Sequence, residues 1–95
     1  GLVIQKPISI KHYHYSMNTS EITPPISKTH HIQFLESTTI KNTEIPENTT
    51  AIIVDIENSN SDNPTYKFQV LRTIISYTHE ELLEKISADK IKLTN

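Results

Sequence analysis

Three groups of side chains could carry chemistry. His12 and His14 stand two residues apart, and His30 and His31 are adjacent. On a strand, residues i and i+2 point to one side. With His30 or His31 on a neighbouring strand, three imidazoles could meet a zinc or nickel ion. No histidine pair at helical spacing and no cysteine supports that reading, and half-exposed strand histidines explain the spacing as well. Asp55 and Glu57 share a strand face, at the spacing of a carboxylate pair for general acid–base work. The wet side of a sheet is the simpler assignment. Glu80, Glu81 and Glu84 form a third acidic set, which fits a helix start and its solvated face better than catalysis. No catalytic residue and no metal ligand is therefore assigned.

Composition removes most other machinery. The 95 residues contain one glycine, Gly1. P-loops, dinucleotide fingerprints and nucleophile elbows all need glycines where backbone meets ligand or turns sharply. The lack of cysteine excludes disulfide frameworks and thiol nucleophiles. Nine Lys and Arg against eleven Asp and Glu give a net charge of −2, with Arg72 the single arginine. No basic stripe marks a nucleic-acid surface. No run approaches the roughly 20 apolar residues of a membrane span. Lys6 and Pro7 interrupt the first apolar stretch, so no signal peptide is expected and the cytoplasm is the expected location. No cofactor is expected, and the chain does not read as an enzyme.

The remaining chemistry is apolar. Tyr13, Tyr15, Phe34, Tyr66 and Phe68 are the aromatic residues of the strand-like segments. They fit either a core or an exposed patch that binds another polypeptide.

Fifteen isoleucines and eight lysines against one arginine suggest AT-rich coding, as in low-GC bacteria and their phages. Ile, Thr and Tyr also favour strands. Four strands are expected, at about 4–17, 30–40, 49–57 and 65–77. The 18–29 stretch with Pro24-Pro25 reads as a loop, and the polar 41–48 stretch as a connection. In the third strand Ile52, Val54 and Ile56 alternate with Ile53, Asp55 and Glu57. Tyr66, Phe68 and Val70 share a face of the fourth, and the apolar set switches face near Leu71, which suits a bulge or a sharp twist. Asn58 to Pro64 is a turn region. Without Asn-Gly or Asp-Gly pairs, all hairpin loops are expected to exceed two residues. Thr78-His79-Glu80-Glu81 fits a capping box that opens a helix over about 79–87 with Leu82, Leu83 and Ile86 as its stripe. Ser87 would cap a further turn through Asp89 to Leu93.

The sum is a single α+β domain, 1–95: a four-stranded antiparallel meander with a short C-terminal helix. One short helix covers only part of one sheet face. A protein partner or homo-oligomer is the expected cover for the rest.

Several passages resemble the SecB-like export chaperones. Ile4-Gln5-Lys6-Pro7-Ile8-Ser9-Ile10-Lys11 is similar to their first strand. Thr50-Ala51-Ile52-Ile53-Val54-Asp55-Ile56-Glu57 and Pro64-Thr65-Tyr66-Lys67-Phe68-Gln69-Val70, across a polar turn, are similar to their third and fourth. Glu80-Glu81-Leu82-Leu83 matches their acidic helix start. Arg72-Thr73-Ile74-Ile75 departs from their glycine-aromatic pattern, and their long C-terminal helix has no counterpart here. The resemblance implies capture of unfolded or extended polypeptide on an apolar sheet surface. The alternative is a small phage- or mobile-element-encoded regulator or inhibitor that binds one specific host protein.

Overall fold

The computed structural model describes residues 22–94. The expected first strand, 4–17, lies outside them. The described chain runs β1 (His31–Phe34), β2 (Thr38–Ile40), β3 (Thr43–Ile45), β4 (Thr50–Glu57), β5 (Thr65–Val70), β6 (Thr73–Thr78), α1 (His79–Ser87) and β7 (Ile91–Thr94). The α+β class holds, but the meander of four strands does not. A five-stranded sheet has the order β6-β5-β4-β1-β7, with β2 and β3 as a separate hairpin. All pairings are antiparallel.

Three corrections share one cause, positive-φ residues that are not glycine. The expected 30–40 strand and 41–48 connection become β1 and the β2–β3 hairpin. Lys41 and Asn42 form its two-residue loop, with φ 53° and 62°, between the paired Ile40 and Thr43. Two positive φ values are the type I′ requirement. The expected 65–77 strand is likewise folded in two, because Val70 pairs with Thr73 across Leu71-Arg72. Leu71 takes φ 53°. The apolar switch near Leu71 is thus a hairpin reversal, and Ile75 returns to the face of Phe68 as its cross-strand partner. The third case is the stretch after α1. Asp89 adopts φ 58°, its N–H donates to the Ile86 carbonyl at 3.0 Å, and the Lys90 N–H donates to the Lys85 carbonyl at 3.0 Å. These two bonds form a Schellman motif with aspartate in the usual glycine place. The helix stops there, and Ile91–Thr94 is a strand instead of a further helical turn.

Leu71→Gly tests the cost of this device. A left-handed residue with a Cβ costs about 1–2 kcal/mol, and glycine's extra entropy returns about 0.5–1 of that. Leu71 is exposed, so little packing is lost. A thermal melt should rise by a few degrees; a fall would mean that Leu71 packs.

The helix starts as its sequence predicts. The Glu81 N–H donates to Thr78 Oγ1 at 3.2 Å, and the Thr78 N–H donates to Glu81 Oε1 at 2.8 Å. Asn63, from the β4–β5 loop, accepts the Glu80 N–H at 2.9 Å. The helix lays His79, Leu82 and Ile86 on the sheet, the i, i+3, i+7 spacing of one face.

The core lies between this helix and one sheet face. Burial along β5 alternates strictly, with Tyr66, Phe68 and Val70 inside. Ile32, Phe34, Ala51, Ile53, Ile75 and Ile91 join them from the other strands. Ile22 and Ile26 are also core residues, so the 22–29 stretch is not merely a surface loop. In β4 the register against β5 shifts between Ile53 and Asp55. Ile53 opposes Phe68 and Ile56 opposes Tyr66. One extra residue, the signature of a bulge, lets Ile53 and Ile56 both turn toward the core side. The bulge is in β4, not near Leu71, and Ile52 and Val54 are on the opposite face from Ile53.

Candidate functional site

Phe34, Tyr66 and Phe68 are inside the protein, at 3%, 0% and 0% exposure. They are core residues and cannot serve as a contact surface in this state. Tyr13 and Tyr15 lie outside the described residues. Phe68 packs tilted between Tyr66 and Tyr77, with ring centroids 6.3 and 6.0 Å away.

Tyr66 has a second task. Its hydroxyl is 2.6 Å from His79 Nδ1, and the Ile26 N–H donates to it at 3.1 Å. His79 Nε2 is 3.1 Å from the Ile22 carbonyl oxygen. A carbonyl only accepts, so Nε2 carries the proton. The Tyr66 hydroxyl, which accepts from Ile26, has its own proton to donate to Nδ1. The chain Ile26 N–H to Tyr66 to His79 to Ile22 is fully satisfied and buried. It ties the 22–26 segment to β5 and to the first turn of α1. Sequence reasoning missed His79. Its place on the apolar stripe, three residues before Leu82, was the available signal. Among the described residues each polar atom of this cluster has a partner, which suits a role in holding the fold.

Burial raises the Tyr66 hydroxyl above its ordinary value, against a lowering from the Ile26 bond. Burial, and then the charge of Glu81, raise Tyr77. The native state therefore holds both phenolic protons more tightly than the unfolded chain. Stability from this source is complete below about pH 10 and is lost as pH rises beyond it. Melts between pH 8 and 11 should show that loss, and Tyr77→Phe should reduce its steepness.

The other sheet face carries exposed aliphatic side chains. Ile52, Val54, Leu71 and Ile74 are 46%, 43%, 51% and 37% exposed. Register brings Ile52 and Ile74 together. Thr94, His31, Ile52, Gln69 and Ile74 stand in one row across all five strands. Neighbouring strands are about 4.8 Å apart, which places Ile52 and Ile74 about 10 Å apart across Gln69. In the adjoining rows Asp55 opposes Lys67, and Lys67 opposes Ser76. Lys67 also pairs with Glu57 at 3.1 Å, a half-exposed pair that adds little stability but gives the apolar centre a charged border. Sequence reasoning set Ile52 and Val54 apart from Ile53; the unbroken Ile52-Ile53-Val54 run was the sign that both faces of β4 are apolar.

Among the described residues no three His, Asp or Glu side chains gather where they could hold a metal ion. His30 and His31 are described; His12 and His14 are not. Asp55 and Glu57 lie beside Lys67, and Glu80 and Glu81 serve the helix start. No helix among these residues is long and apolar enough to cross a membrane.

No family model, curated protein or solved structure matches the chain.

Proposed function

We propose that the chain is a non-catalytic protein-binding module of the cytoplasm, which holds an extended polypeptide against the open face of its sheet. The observation that supports this is the exposed aliphatic group Ile52, Val54 and Ile74 on the sheet face away from the core, with Leu71 exposed at the β5–β6 turn. An apolar centre with a polar border is the anatomy of a contact surface. Ile52 and Val54 recur at the two-residue interval of a strand, about 6.6 Å. An extended chain with alternating apolar side chains presents the same interval. The SecB-like sequence resemblance points to the same class of client. Phe34, Tyr66 and Phe68 lie in the core instead.

The test is an Ile52→Asp/Ile74→Asp double variant. Both positions are exposed, so the fold should persist by circular dichroism. The wild-type protein should slow light scattering by a chemically unfolded client enzyme, and the double variant should lose most of that effect. Equal activity of the two would remove the open face from the proposal. A wild-type protein that ignores unfolded clients would refute the client class; one folded binding partner would then fit the second reading, a phage-type regulator. A homo-oligomer that dissociates in the double variant would place a second copy on this face.

A further inference from the structure

A cavity of about 300 Å³ lies away from the open face, between β2, β6, the end of α1 and the start of β7. That volume is at the lower end of small-molecule sites. Phe34, Ile40, Tyr77 and Ile91 give it an apolar lining, while Lys85, Lys90, Glu36 and the Thr38 and Thr39 side chains bring polar groups to it. The two lysines differ. Lys90 is held by Glu36 at 3.0 Å. Lys85 Nζ sits over the Tyr77 ring, 5.2 Å from its centroid, and the ion pairs found among the described residues, Lys67–Glu57 and Lys90–Glu36, do not include it. Two ammonium groups against one carboxylate leave the lining one positive charge. A concave apolar lining with one uncompensated cation matches a hydrophobic body that carries a single negative charge.

We propose that this cavity binds a small organic carboxylate with an aromatic or short aliphatic body. Lys85 holds the carboxylate, and the body lies against Phe34, Ile40 and Ile91. The charge of Glu81, which acts on Tyr77, and the carbonyl end of α1 oppose an anion here, so the site discriminates by the Lys85 contact and the apolar fit together.

Amide NMR titrations of the full chain test this with benzoate, hexanoate, acetate, benzamide and benzylamine. Benzoate and hexanoate should shift the amides of Ile40, Tyr77, Lys85 and Ile91 saturably. Acetate, which lacks the body, and benzylamine, which carries the opposite charge, should not saturate. Lys85→Gln should weaken benzoate at least tenfold and leave benzamide unchanged, and Lys85→Arg should restore benzoate to within a few-fold. A thermal melt of each variant reports the fold. The proposal fails if benzoate does not saturate these amides, if benzylamine or acetate binds as tightly, or if Lys85→Gln binds benzoate like the wild type.

Discussion

Phe68→Ala should cost about 3–5 kcal/mol of stability. Phe68 is fully buried at the centre of β5. It stacks against Tyr66 and Tyr77 and opposes Ile53 and Ile75 on its two neighbours. Removing the ring leaves a void that several strands would have to close at once, and a sheet held by β4 and β6 cannot collapse easily into it. For a domain whose whole margin is about 5–15 kcal/mol, much of the fold would be lost. Denaturant unfolding followed by circular dichroism measures the change. A loss below about 1 kcal/mol would show that Phe68 is a surface residue after all, as the sequence allowed.

Tyr66→Phe removes one oxygen and should still cost about 1–3 kcal/mol. The ring keeps its volume, so the effect isolates the hydrogen bonds. Without the hydroxyl, the Ile26 N–H and His79 Nδ1 both lose their partner in a buried place. His79 would still reach the Ile22 carbonyl, but nothing would fix its ring from the other side. The loss should appear first around Ile22 to Ile26, as faster amide exchange at Ile26 than in β5. His79→Leu should cost a similar amount, and the double variant less than the sum, because the two side chains share one network. Additive losses would break the link drawn here between Tyr66 and His79.

These two residues show how legibility divides. Tyr66 and Phe68 were readable as strand neighbours on one face, and that alternation is real. Whether the face is inside or outside depends on what packs on it, and period two is blind to that. The same blindness hid the open face: Ile52, Ile53 and Val54 are all apolar, and only the bulge and the core decide which of them is exposed. The cavity was out of reach for another reason. Its lining joins Phe34 to Tyr77 and Lys85, residues with no local relation in the chain.

Local rules sufficed where the forces are local. The single glycine, the lack of cysteine, the near-neutral charge, the strand-rich composition and the Thr78–Glu81 cap are read from residue types alone or a few positions apart, and the cap forms as written. Tertiary structure decided the rest. It placed Lys41, Asn42, Leu71 and Asp89 in the left-handed region, where a residue with a Cβ stays only because paired strands on each side, or a helix end and the strand after it, hold it there. Among the described residues, the strands expected at 30–40, 49–57 and 65–77 became seven, with β7 beside β1 and Ile52, Val54 and Ile74 left exposed.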